Sequence, residues 1–189
     1  MDIYLVRHSK TVAATGLCYG QTDIALAENF AEEAATIRAK LPDLVPNCLV
    51  LSSPLSRCLS LAKYISETAQ TDARLTEINF GDWENSPFDA IDPETLRHWT
   101  DNFVLVAPPN GESFSDLCGR AKAFWQELIK LDAPQVVMVT HAGFIRALLA
   151  VVLDLPLANA FQIRVGLSSV HKLHHSPESA YTFIDYLNL

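Results

Sequence analysis

Three short apolar runs constrain this chain more than anything else in it: residues 3–6 (Ile-Tyr-Leu-Val), 48–51 (Cys-Leu-Val-Leu) and 136–139 (Val-Val-Met-Val). Continuous apolar runs of that length read as buried strands. Helical patterns separate them. Residues 27–41 are rich in alanine, and Leu55, Cys58, Leu59, Ala62 and Ile65 recur at helical spacing. The helix carrying that second set is predicted to start near Ser53, with the Ser53 hydroxyl capping free amides and Pro54 in the first turn. A third helix is predicted from Ser113, where Ser113-Phe114-Ser115-Asp116 offers a loose capping box, to about Leu131. A fourth follows Gly143 and ends before Pro156. Strands alternating with helices imply an α/β fold: a three-layer α/β/α sandwich around a mostly parallel central sheet. Residues 161–165, 170–173 and 181–186 are predicted as short strands that complete an antiparallel edge.

At 189 residues the chain is expected to form one domain, residues 1–189, with no repeat or flexible linker dividing it. Residues 85–110 are the least regular stretch, broken by Pro87, Pro93, Pro108 and Pro109, with room for a short helix within 92–103. They are expected to run over the sheet as a lid. Lys and Arg total 14 against 22 Asp and Glu, and this net charge of −8 argues against nucleic acid or an acidic membrane as partner. An anionic ligand therefore needs a local positive pocket. Cys18, Cys48, Cys58 and Cys118 are widely spaced and are read as reduced, buried thiols. With no leader-like pattern before residues 2–6 and no apolar run of spanning length, a cytoplasmic location is expected.

In open α/β sheets ligands bind beyond the carboxyl ends of the strands. The first run leads into Arg7-His8-Ser9, the second through Ser52-Ser53-Pro54 to Arg57, and the third into Thr140-His141-Ala142-Gly143. Two guanidiniums and two imidazoles are thus predicted around one pocket. The set suits a phosphate monoester, because guanidinium groups match its oxygens bidentately and neutral imidazole is a good nucleophile toward phosphorus. A proton donor for the departing oxygen is still required. Residues 75–84 supply Glu77, Asp82 and Glu84 beside apolar and aromatic side chains, a setting that favours the neutral, donating form of a carboxyl group. Glu77 is the first choice, with Asp82 and Glu84 as alternatives.

The segment Leu5-Val6-Arg7-His8-Ser9-Lys10-Thr11 resembles the Arg-His-Gly motif of the histidine phosphatase (phosphoglycerate mutase-like) superfamily. Ser52 to Arg57 is similar to that family's second arginine motif, residues 75–84 to its acidic motif, and Thr140 to Gly143 to its second histidine motif. The resemblance implies the phosphoglycerate mutase-like fold and a phosphomonoester hydrolase needing neither metal nor cofactor. It further implies that His8 attacks phosphorus and that Arg7, Arg57 and His141 hold the phosphoryl oxygens. Glu77 would protonate the leaving oxygen and then activate water. Two positions depart from the pattern: Ser9 replaces the usual Gly, and Ala14 replaces an Asn that binds phosphate in many members.

Residues 18–26, 80–84 and 109–113 further resemble the α-ribazole phosphatases of cobalamin biosynthesis, which act on α-ribazole 5′-phosphate or the corresponding cobalamin phosphate. This adds Tyr19 and Gln21 as candidate substrate-binding residues. The alternatives are a broad-specificity or phosphoglycerate-type phosphatase or mutase and, from Ser9 and Ala14, a non-catalytic module that binds phospho-ligands. His171, His174 and His175 are read as residues of the sheet edge rather than metal ligands. Trp99, in the expected lid, is a candidate contact for a substrate ring.

Overall fold

The computed structural model describes residues 1–189, built on a six-stranded sheet. The strands are β1 (Asp2–Arg7), β2 (Leu49–Ser52), β3 (Gln70–Thr71), β4 (Gln135–Thr140), β5 (Val170–Ser176) and β6 (Tyr181–Tyr186), in the spatial order β3-β2-β4-β1-β5-β6. β1, β4, β2 and β3 run parallel, and β5 and β6 add an antiparallel edge. The helices are α1 (Phe30–Ala39), α2 (Ser56–Ile65), α3 (Pro93–Asn102), α4 (Phe114–Leu128) and α5 (Ala142–Val152).

The apolar runs divide their side chains between two faces, as the twofold period of a strand requires. Ile3, Leu5, Val136 and Met138 pack with α4 and α5 on one face, whereas Tyr4, Val6, Val137 and Val139 pack with α1 and α2 on the other. All six residues of β4 are buried, which suits a central strand flanked by β1 and β2. A smaller cluster of Cys18, Trp83 and Ile91, with Phe80, Phe88 and Trp99 against it, lies under residues 85–110 and holds α3 to the rest.

Two elements differ from the sequence expectation. α2 begins at Ser56, after Ser53 and Pro54, because its first amide is capped from a distance: Ser56 N and Oγ both donate to Asp23 Oδ1 at 2.8 Å. Ser53 Oγ still accepts from Leu55 N at 3.3 Å, one residue before the helix, and also meets His141 Nε2 at 2.9 Å. Residues 161–165 do not form a strand. They complete a 3₁₀ turn (Leu157–Gln162) and a loop whose carbonyls serve arginines, with Ile163 O accepting from Arg146 Nε and Val165 O from Arg7 Nη1. The capping box at Ser113 and Asp116 is present as expected. The tail histidines sit in β5 with separate partners: His171 with Ser169 Oγ, His174 with Asp2 and His175 with Thr182.

Candidate active site

Strand register brings the motifs together. Arg7 pairs with Thr140 and Ser52 with Val139, so His8, His141 and Ser53 all emerge at the same end of three adjacent strands. His8 N donates to Thr140 O at 3.1 Å and Ser53 N to Val139 O at 3.0 Å, carrying the ladder one residue past each strand end. The rings of His8 and His141 meet edge to face, with centroids 5.2 Å apart and planes at 61°.

His8 is almost completely buried. Its Nδ1 lies 2.7 Å from the carbonyl oxygen of Ser9. A carbonyl can only accept, so Nδ1 carries the proton and Nε2 keeps its lone pair. Burial lowers the His8 pKa to about 3, with the Ser9 carbonyl opposing and Arg57 and Arg7 reinforcing the shift. The ring is therefore neutral at neutral pH, in a fixed tautomer that leaves the Nε2 lone pair free. His141 is fully buried, and desolvation, helped by His8, Arg57 and Arg7, keeps its pKa well below the ordinary value. Its Nε2 lies 2.9 Å from Ser53 Oγ and 3.4 Å from Cys58 Sγ.

Both arginines are anchored by neutral carbonyls. Arg57 Nη1 donates to Thr22 O at 2.8 Å, and its Nη2 donates to Gly20 O; Arg7 Nη1 donates to Val165 O at 2.9 Å. Neither forms an ion pair, and Nε of each is buried without a partner. Such anchoring fixes the guanidiniums while leaving their charge unneutralised, which is what an oxyanion site requires. The Arg57 guanidinium also lies 5.3 Å from the ring centroid of Tyr19.

Glu77 is held from beneath. Its Oε2 accepts from Gly143 N at 3.0 Å and its Oε1 from Ile78 N at 3.0 Å. A Cβ on residue 143 would stand 2.1 Å from Glu77 Oε1, so glycine is required there for the carboxyl group to occupy this place. Arg7, His8, Tyr19, Arg57 and Glu77 line one cavity of about 230 Å³ together with Leu17, Phe80 and Phe88. His141 is not among the lining residues; it lies behind the wall, in edge contact with the His8 ring. Gln21 is not on the cavity wall; its Nε2 donates to Glu77 O at 3.1 Å and supports the acidic segment instead. Ala14 is exposed, and Ser9 is fully buried with its hydroxyl unpartnered.

The two alternative carboxylates are occupied elsewhere. Glu84 accepts from the amides of Gly20, Gln21, Thr22 and Phe80 and from Thr22 Oγ1 at 2.5 Å. Burial pushes its pKa upward, but these hydrogen bonds outweigh that and hold it below the ordinary value, so it stays ionised as a clasp. Asp82 is exposed and accepts from Asn110 Nδ2 at 2.9 Å. Sequence reasoning missed Arg120 on α4. Its Nη1 donates to the carbonyls of Arg74 and Thr76 at 2.7 and 2.8 Å, its Nη2 donates to Glu77 O at 3.2 Å, and it pairs with Glu112 at 2.8 Å. These contacts suspend the acidic segment over the site, and nothing in local sequence marks them.

Residues 3–183 match the histidine phosphatase superfamily (branch 1). The chain belongs to that family. An adenosylcobalamin/α-ribazole phosphatase of Salmonella typhimurium is 30% identical, across 87% of this chain and 86% of that protein. A protein of Yersinia pestis described as a probable phosphoglycerate mutase is 29% identical, across 93% of this chain and 85% of its own length. Among solved structures, a mycobacterial glucosyl-3-phosphoglycerate phosphatase superposes with a TM-score of 0.85 at 30% identity, covering 99% of this chain and 98% of that one. The enzyme is accordingly a phosphatase of the histidine type with the phosphoglycerate mutase-like α/β fold. No helix in it is long and apolar enough to cross a membrane.

Proposed function

We propose that this enzyme hydrolyses a phosphate monoester through a phosphohistidine on His8, and that its substrate is α-ribazole 5′-phosphate or a cobalamin 5′-phosphate. The observation that carries the mechanism is the fixed His8 tautomer, with Nδ1–H committed to Ser9 O and Nε2 unprotonated in a cavity that also presents Arg7, Arg57 and Glu77. The Nε2 lone pair forms a bond to phosphorus as the bond from phosphorus to the ester oxygen breaks. That oxygen leaves with the proton of the Glu77 carboxyl group. Arg7, Arg57 and His141 bind the equatorial oxygens, whose charge grows in the transition state. Water then attacks the phosphohistidine, Glu77 takes its proton, and the nitrogen–phosphorus bond breaks to restore neutral His8.

The likeness to the Salmonella phosphatase supports the substrate, since it runs through nearly the whole of both chains. The reading places the enzyme in the cytoplasm, where its four unpaired cysteines would stay reduced. Its partner is a small phosphate ester and not a nucleic acid, given the net charge of −8. Residues 85–110 are taken as a cover over the cavity. A second reading, action on a phosphoglycerate-type ester, is favoured by half-buried Arg146, whose Nε donates to Ile163 O and which lies close enough to Glu77 for the two charges to influence one another. It could receive a carboxylate.

Rapid quenching with radiolabelled substrate tests the proposal. The expected result is an acid-labile, base-stable phosphoenzyme that His8→Ala abolishes, with kcat/KM for α-ribazole 5′-phosphate at least ~10-fold above that for 3-phosphoglycerate. A phosphoenzyme that persists in His8→Ala defeats the mechanism, and a reversed preference defeats the substrate.

A further inference from the structure

The two guanidiniums of the cavity are not equally secured. Arg57 donates to two carbonyl oxygens, Thr22 O and Gly20 O, whereas the side chain of Arg7 makes a single hydrogen bond within the protein, from Nη1 to Val165 O at 2.9 Å. Arg7 Nε is buried without a partner. A guanidinium with one anchor lies only as precisely as that anchor does. Here the anchor is a carbonyl in the loop between the 3₁₀ turn Leu157–Gln162 and β5.

A carbonyl oxygen shares its rigid peptide plane with the N–H of the next residue, so whatever fixes Gly166 N also aims Val165 O. Gly166 N donates to Asn188 Oδ1 at 2.8 Å, and Nδ2 of the same side chain donates to Arg164 O. One amide thus pins both peptide planes that flank Val165. Its orientation is settled by its partners, because a carbonyl can only accept and an N–H only donate. On either side, Arg146 Nε donates to Ile163 O at 3.0 Å and Ser169 Oγ to Gly166 O at 2.7 Å. The two planes in between have no hydrogen bonds except those to Asn188 and Arg7. Without the amide the 165–166 peptide is free to turn over, since glycine at 166 admits backbone conformations closed to other residues. An N–H would then face the guanidinium. Asn188 itself sits at φ 60°, a left-handed conformation that asparagine tolerates, and the next residue is tied to β5 by Leu189 N donating to Val170 O at 2.9 Å.

We propose that Asn188 is a positioning residue for phosphoryl transfer: its side-chain amide fixes the Val165–Gly166 peptide and, through that carbonyl, the Arg7 guanidinium. Asn188 is exposed and lies on no wall of the phosphate cavity, so it acts only through Arg7. The inference rests on the phosphatase reading for the part Arg7 plays and is independent of which ester is the substrate. Loss of the amide loosens the grip on the phosphoryl oxygens and leaves the contacts of His8 and Glu77 in place.

Asn188→Gly deletes the amide while keeping a residue at ease in the left-handed conformation, so the backbone is not strained. Orthovanadate, as a competitive inhibitor of p-nitrophenyl phosphate hydrolysis, reads the grip on an oxyanion. In Asn188→Gly its inhibition constant is expected to rise about tenfold, with kcat/KM falling by a similar factor. Asn47→Gly, the same exchange at another exposed left-handed asparagine (φ 64°), should change neither. Arg7→Ala alone should weaken vanadate inhibition by about 10²-fold, and adding Asn188→Gly to it should cost less than about twofold more, because the amide then has no guanidinium to place. An unchanged vanadate constant in Asn188→Gly, a matching loss in Asn47→Gly, or a tenfold loss that persists once Arg7 is gone would overturn the proposal. Vanadate inhibition unaffected by Arg7→Ala would instead defeat the part given to Arg7 in the phosphatase reading, and this inference with it.

Discussion

His8 and Glu77 suit their proposed parts by opposite means. The proposed nucleophile is buried, fixed in one tautomer and kept unprotonated by desolvation. The carboxyl group is held at the rim by two amides that define its position. Removing the exchangeable proton of Glu77 should therefore affect only the steps that need it. Glu77→Gln is expected to lower kcat by about 10²–10⁴-fold with an alkyl phosphate and far less with p-nitrophenyl phosphate, whose leaving group needs little protonation. Steady-state assays with both esters check this; equal losses would mean that Glu77 does not donate the proton. Among residues, His8, Arg7, Arg57 and His141 were legible because each follows a strand or opens a helix in a short, chemically specific string. The discrimination among Glu77, Asp82 and Glu84 was not, because it depends on which amides face each carboxylate. Those amides belong to residues as distant in sequence as Gly143 and Gly20.

The elements matter through the loops they tie together. Gly143 opens α5 and lets the Glu77 carboxyl group approach the helix amide, so Gly143→Ala is expected to displace it. Activity should drop by roughly 10²-fold, with a stability cost of about 1–3 kcal/mol from overpacking. Glu84 gathers residues 20–22 against residue 80, and the same loop supplies the carbonyls that anchor Arg57. Glu84→Ala leaves several amides unpaired and is predicted to cost roughly 3 kcal/mol, lowering Tm by about 6–12 °C and raising KM for the phosphate ester. Thermal melts and KM measurements on the two variants separate a local displacement from a loosened clasp. The parallel strands, their helices and the capping box were readable from periodicity. The start of α2 was not, since its cap is Asp23 in another loop. Residues 161–165 had a strand-like composition, but their carbonyls are engaged by Arg146 and Arg7 rather than by a neighbouring strand.

For the molecule as a whole, burying neutral histidines links folding to pH. The pKa values of His8 and His171 are lowered by burial to about 3 and about 4, and that of His141 is lowered as well. In the unfolded chain these groups titrate near 6.5. As pH falls below that value the unfolded state takes up protons that the folded state refuses, so stability declines with acidification and is fully present above about pH 6.5. The half-buried carboxylate of Glu84 adds to the loss only nearer its ordinary value of 4.5. Tm should thus fall already between pH 6.5 and 5, and His171→Asn should flatten that slope without changing the chemistry. At this scale the sequence forecast of an anionic chain with a local positive pocket agrees with two unpaired guanidiniums set in a molecule of net charge −8. In the proposed reaction His8 attacks a phosphoryl group gripped by Arg7, Arg57 and His141. A crystal structure of the enzyme with orthovanadate tests it most directly. The expected result is a five-coordinate vanadium bonded to His8 Nε2, with equatorial oxygens within hydrogen-bond distance of both guanidiniums and the His141 ring; vanadate bound elsewhere, or bound without contact to His8, would contradict it.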